Sequence, residues 1–144
     1  MARALIDTTV LFAAAYRRDG NHADALPILQ GIDDGSLPDT VVLDYILGET
    51  LNGLTTHAGH EAAVDFLDRI EGNTRFHVES LDANTFAAGK SLFRERRRLS
   101  FVDACLVVYA QAEEIRYLYA LDDDFDGFDD VSRLETTTNP YDPR

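Results

Sequence analysis

The chain has 144 residues and a mass of 16.0 kDa. That is the size of one domain, large enough to bury a core without a disulfide or zinc staple. Hydrophobic residues make up 45 % of it, which excludes a wholly disordered chain. Its longest apolar runs, Val10–Tyr16 and Ala104–Ala110, fall far short of the roughly 20 residues needed to span a membrane. Acids outnumber bases 26 to 13 for a net charge of −13, and Lys90 is the only lysine. Such a surface suits a salty cytoplasm, where charge keeps a protein soluble, or a cationic ligand or partner. Met-Ala-Arg-Ala-Leu-Ile-Asp at the N-terminus reaches an acid too early for a secretory signal, so a cytoplasmic location is expected.

Ala4–Ile6 reads as a short strand ending at Asp7. Val10–Tyr16 follows as a helix, with Thr8 or Thr9 placed to cap its free N–H groups. Asn21–Asp34 is a second helix, with Pro27 in its first turns and Gly35 just past its end. The β-branched run Leu37–Leu43 is a strand. Asp44 then caps a helix to about His57, with Leu47, Leu51 and Leu54 on one side. In His60–Glu71, Ala63, Phe66, Leu67 and Ile70 recur at helical spacing and face a core. Phe76–Leu81 alternates like a strand, and Asp82–Arg98 is helical. Ser100–Ile115 is apolar nearly all round, hence a buried helix, and its Cys105 reads as an inert buried thiol. Tyr117–Leu121 is a strand, with a further short one near Ser132–Glu135. Residues 136–144 read as a loose C-terminal tail, leaving a single domain over 1–135. Strands separated by helices predict an α/β fold with a parallel sheet covered on both faces.

In such a sheet, sites form at the carboxyl ends of the strands. Asp7 ends the first strand, and Asp122 ends Tyr117–Leu121. Asp103 lies in the first turn of the buried helix, and Glu49 lies inside the helix after the second strand. Each has a plainer role available. Asp7 can cap a helix, Ser100-Phe-Val-Asp103 has the spacing of a capping box, and Glu49 and the run Asp122–Asp130 can simply be solvated. That run also offers a rival chemistry: Asp122, Asp124, Asp126 and Gly127 fit the start of a calcium loop. The twelfth position needs a bidentate glutamate, and here it is Arg133. A phosphatase of the haloacid dehalogenase type needs an aspartate at position 9, which is Thr9. Gly-rich phosphate loops, zinc-like Cys/His clusters and a G-x-S-x-G elbow are absent, and His22, His57, His60 and His77 are scattered.

Four segments taken together resemble one family. Leu5-Ile-Asp7-Thr-Thr-Val10, the helical Glu49 of Leu43–Glu49, Leu99-Ser-Phe-Val-Asp103-Ala, and Ala120-Leu-Asp122-Asp-Asp-Phe125 resemble, in order and spacing, the motifs of PIN-domain nucleases. Leu-Ser-x-x-Asp-Ala is the most specific of these. The length is similar to that of stand-alone VapC-type toxins, and the resemblance covers about residues 3–135. One departure is Ala120, where the family often carries Thr or Ser. The resemblance implies a three-layer α/β/α fold with a central parallel sheet and Mg²⁺- or Mn²⁺-dependent cleavage of RNA. For the toxin branch it also implies a VapB-like antitoxin and a homodimer. The alternatives are a PIN nuclease of RNA processing and a non-catalytic calcium- or partner-binding protein.

Hydrolysing a phosphodiester brings an anionic nucleophile to an anionic phosphate, and hard divalent ions held by carboxylates relieve both charges. On the resemblance, Asp7, Glu49, Asp103 and Asp122 supply that set. Asp7 and Asp103 are expected to bind the principal metal and Asp122 to contribute to it, with Asp124 as its rival for the fourth place. Glu49 is expected to hold or align the attacking water, and Thr9 to hydrogen-bond an acid or the phosphate. The most basic stretch, Arg94-Glu-Arg-Arg-Arg98, offers Arg94, Arg97 and Arg98 to the RNA backbone. Its plainer role is to complement the dipole of a helix C-terminus.

Overall fold

The computed structural model describes residues 2–142. In chain order it contains β1 (Arg3–Ile6), α1 (Thr8–Ala15), α2 (His22–Asp34), β2 (Asp39–Leu43), α3 (Asp44–Ala58), α4 (His60–Glu71), β3 (Phe76–Glu79), α5 (Ala83–Glu95), α6 (Phe101–Ala112), β4 (Tyr117–Tyr119) and β5 (Ser132–Leu134). A 3-10 turn at Asp123–Phe125 sits between the last two strands.

All five strands are parallel, in the order β3-β2-β1-β4-β5. Ala4 to Ile6 and Val41 to Leu43 are wholly buried, as expected of strands covered on both faces. From β1 the chain steps outward through β2 to β3, then crosses back to β4 on the other side of β1. Right-handed crossovers therefore place α1–α4 on one face and α5 and α6 on the other. Their packing agrees: α1 contacts α2 and α3, α3 contacts α4, and α5 contacts α6. The result is the expected three-layer α/β/α arrangement, and its strand order reverses between β1 and β4.

Several boundaries differ from expectation, each for a local reason. Asp7, not Thr8 or Thr9, occupies the N-cap of α1 and makes no side-chain cap bond. The two threonine hydroxyls bind carboxylates instead. Asp44 is the first residue of α3 rather than its cap; it accepts from the Tyr45 N–H and the Ser80 hydroxyl. The helix expected to run to Arg98 stops at Glu95, because a turn from Leu99 N–H to Arg96 C=O buries Leu99. The expected loose tail, 136–144, is instead tied down over its described part, while residues 143–144 lie outside the described residues. Tyr119 donates to Thr138 C=O, Asn139 donates to Ser36 C=O, and Tyr141 donates to Arg3 C=O while its ring meets Tyr117 edge-on at 5.4 Å.

Candidate functional site

The crevice at the carboxyl ends of β1 and β4 lies where the strand order reverses, the position at which open α/β sheets place their ligands. Asp7 follows β1 directly, and its N–H donates to Tyr119 C=O across the sheet. The residue is 3 % exposed. Burial pushes its pKa up, against the Thr9 hydroxyl, which donates to Oδ2 at 2.8 Å, and the charge of Asp122 pushes it further. Thr9 Oγ1 also accepts from Leu121 N–H at 3.4 Å, so it joins the end of β1 to the segment after β4.

Asp103 comes from the first turn of α6. Ser100 caps that helix by accepting from the Asp103 N–H at 3.1 Å, so half of the expected capping box is present. The Asp103 carboxylate turns into the crevice. Oxygen atoms of Asp103, Asp122 and Asp124 all lie within 4.8 Å of one another. Burial, then the charges of Asp7, Asp122 and Asp124, push Asp103 up to about 7. A carboxyl so shifted marks a place where negative charge is concentrated without a neutralising partner.

Asp122 and Asp124 do not exclude each other. Asp122 caps the 3-10 turn and accepts from the Asp124 N–H at 3.0 Å, which sets both carboxylates on the side facing Asp103. The calcium-loop alternative fails on the same turn. Asp126 is held away by Arg133, whose Nε and Nη2 donate to its two oxygens at 2.8 and 2.9 Å.

Glu49 lies nearby on α3, exposed, and accepts from the Thr8 hydroxyl at 2.7 Å. Tyr45, one turn earlier, donates to Val102 C=O at 3.0 Å and so ties the start of α3 to the start of α6. Burial holds its phenol firmly protonated, reinforced by Cys105 and by the charges of Asp7, Asp103 and Glu49. Neither Thr8 nor Tyr45 stands out in the sequence; the signal that finds them is position, beside Asp7 and one turn before Glu49.

The expected RNA-contacting arginines divide. Arg97 and Arg98 line a groove of about 510 Å³ that also reaches Asp123 and Asp124. Arg94 lies outside that lining, in the last turn of α5, where it complements the helix dipole. Arg96 is the addition: its guanidinium lies 4.6 Å from the centre of the Phe128 ring and closes one wall of the groove.

Carboxylate oxygens are the donors that hard ions select, and a cluster with no sulfur or imidazole among its members fits a hard divalent cation. Residues 4–131 match the family model for the PIN domain. A search of curated protein sequences gives no match. Among solved structures, the chain is similar to Mycobacterium tuberculosis VapC20, described as a sarcin–ricin loop cleaving toxin, with 29 % identity and a TM-score of 0.74 over 89 % of this chain and 98 % of that one. A toxin–antitoxin complex from Klebsiella pneumoniae matches with 18 % identity and a TM-score of 0.62, over 94 % and 98 % of the two chains. VapBC2 from Rickettsia felis, bound to a promoter DNA fragment, matches with 13 % identity and a TM-score of 0.66, over 92 % and 97 %. The last two likenesses concern the fold alone.

Proposed function

The chain belongs to the PIN domain family, and from that premise we propose that it is a divalent-metal-dependent endoribonuclease, the toxin of a VapBC-type pair. The observation that carries this is the convergence of Asp103, Asp122 and Asp124 at the β1–β4 crevice, with Asp7 buried beside them. The sarcin–ricin loop cleavage named for the Mycobacterium toxin supports RNA as substrate. The toxin–antitoxin assemblies of similar fold support a VapB-like antitoxin as partner.

Asp103, Asp122 and Asp124 would hold Mg²⁺ or Mn²⁺, with Asp7 completing the set. When bound, such an ion lowers the pKa of water and offsets the charge that develops on phosphate oxygens. The protein's own groups do the rest. Thr9 fixes the Asp7 carboxylate through Oδ2. Thr8 occupies Glu49 Oε1, which leaves Oε2 free to accept from an attacking water and align it. Ser100 and Tyr45 fix the start of α6, and with it Asp103. Arg97 and Arg98, beside Asp124, hold the RNA backbone, and Arg94 adds positive charge further out.

Asp7→Asn and Asp103→Asn are each expected to lower Mn²⁺-dependent RNA cleavage by about a hundredfold or more, with circular dichroism and melting showing an intact fold. Cleavage at the parent rate by both variants rejects the site. An adjacent reading frame encoding a small DNA-binding protein whose product blocks cleavage supports the toxin; its absence, with cleavage retained, favours a PIN nuclease of RNA processing.

A further inference from the structure

Away from the acidic crevice, the seam between α1 and α3 has a regular construction. Thr8, Phe12 and Tyr16 follow at four-residue steps along α1 and its C-cap, and Glu49, Gly53 and His57 do the same on α3. Four-residue steps keep each triplet on one line of its helix. The two lines meet rung by rung. Thr8 donates to Glu49 at 2.7 Å. A Cβ at Gly53 would stand 3.0 Å from the Phe12 ring, so glycine lets that ring lie against α3. Tyr16 and His57 lie with ring centres 5.7 Å apart, and Phe12 meets them at 5.4 and 5.7 Å.

The seam therefore starts at the crevice, where Glu49 stands. It ends eight residues on, about 12 Å along the helix axis, in a recess of about 460 Å³. That recess is lined by Tyr16, His57, Arg17 and Arg18, with Ala15 and Ala58. Arg17 and Arg18 are exposed and make no side-chain ion pair or hydrogen bond among the described residues. Arg3, Arg69, Arg75 and Arg133 are paired with acids, whereas among the described residues Arg17 and Arg18, like Arg97 and Arg98 in the groove beside Asp124, are not. In a chain of net charge −13, two adjacent unpaired arginines beside a three-ring cluster are a local reversal of sign. Cations for the backbone and π-faces for the bases are what single-stranded nucleic acid binds.

We infer that the α1–α3 seam is a track for single-stranded RNA flanking the cleavage point, with Tyr16 and His57 stacking a base and Arg17 and Arg18 holding its phosphates. This rests on the ribonuclease function proposed above. It also bears on how so acidic a protein holds RNA. Added salt shortens the reach of phosphate attraction to about 3 Å at 1 M, whereas ring stacking is a contact interaction that salt does not screen.

The test uses the full chain carrying Asp103→Asn, so that RNA is bound without being cut. The probe is a fluorescein-labelled, mixed-sequence single-stranded RNA of about 12 nucleotides, read by anisotropy across a salt series. Adding Arg17→Gln with Arg18→Gln is expected to weaken binding about tenfold. It should also flatten the slope of log K against log salt by about 1.4, the value for two phosphate contacts on a single strand. Tyr16→Ala is expected to weaken binding about fivefold with the slope unchanged. Tyr16→Leu, which keeps apolar bulk against Phe12, should show the same loss, and melting curves verify that each variant folds. Unchanged affinity and slope in the double arginine variant overturn this inference and leave the nuclease intact. A parent chain that neither binds nor cuts RNA overturns both. Loss of antitoxin capture with RNA binding unchanged makes the seam a protein interface and rejects the RNA track.

Discussion

At the scale of single residues, the molecule concentrates its electrostatic stress on Asp103 and Asp7. Both carboxyls are shifted up, chiefly by burial. The folded chain therefore keeps a proton on Asp103 between its unfolded value of 3.8 and about 7, a range in which the unfolded chain has lost it. Stability from this group is present below that window and is lost as pH rises through about 7. The metal-free protein is thus expected to melt at lower temperature at pH 8 than at pH 5. Asp103→Asn should flatten that decline and raise the pH 8 stability by on the order of 1 kcal/mol after solvent screening. Mn²⁺ should remove the decline in the parent, because an ion takes the place of the protons. Differential scanning calorimetry across pH reads all three; a parent that is more stable at pH 8 without metal contradicts the assignment. In the sequence Asp7, Glu49, Asp103 and Asp122 are singled out only by the order and spacing of four motifs that resemble one family, since each alone has a plainer role. Asp124 stays ambiguous there, since its place depends on a 3-10 turn whose hydrogen bond sets Asp122 and Asp124 on one side. No periodicity encodes that.

At the scale of elements, the position of α6 decides where Asp103 points, and α6 is held by α5. A close approach falls at Gly89, the one buried residue of α5, where a Cβ would stand 2.6 Å from the buried Cys105 Sγ. Gly89→Ala is expected to destabilise the fold by about 1–3 kcal/mol through overpacking. Cys105→Ala in the same chain should recover a large part of that loss by removing the sulfur, a coupling that a double-mutant cycle measures in denaturant. Additive losses would show that the α5–α6 contact is looser than described. The strong helical signals appear in the sequence with small errors, because apolar spacing reports burial directly: α4 begins and ends where it is expected. The end of α5 does not appear. Arginine is a good helix former, and the turn that stops the helix depends on burying Leu99, a tertiary event.

At the scale of the whole molecule, the two ends of the sheet have different tasks. The acids gather at the carboxyl ends of β1 and β4, while the segment after β5 ties down the amino ends through Arg3, Ser36 and Tyr117. Truncation after Glu135 is expected to lower stability by about 1–3 kcal/mol through lost hydrogen bonds and ring contact. It should leave the RNA cleavage rate of the folded protein unchanged, which melting and initial-rate assays read together; a rate that falls with the tail present in trans or absent would tie that segment to the site. The sequence shows Thr136-Thr-Thr-Asn-Pro-Tyr-Asp-Pro-Arg144 in this stretch, a composition shared by loose termini, and the partners of its residues, Tyr119, Ser36, Arg3 and Tyr117, lie elsewhere in the chain. The parallel sheet and its layers, by contrast, follow from the alternation of strand and helix, and the reversal of strand order between β1 and β4 brings acids more than a hundred residues apart into one crevice.

On the function proposed above, this crevice would capture a hard divalent ion through Asp103, Asp122 and Asp124. Diffraction from crystals soaked in Mn²⁺, recorded for anomalous signal, tests it most directly. The expected result is a peak about 2.0–2.2 Å from carboxylate oxygens of Asp103 and at least one of Asp122 and Asp124, with Asp7 close by and the peak absent in Asp103→Asn. A crevice without a peak at saturating Mn²⁺, or a peak held instead by Asp126 and its neighbours near Arg133, would contradict it.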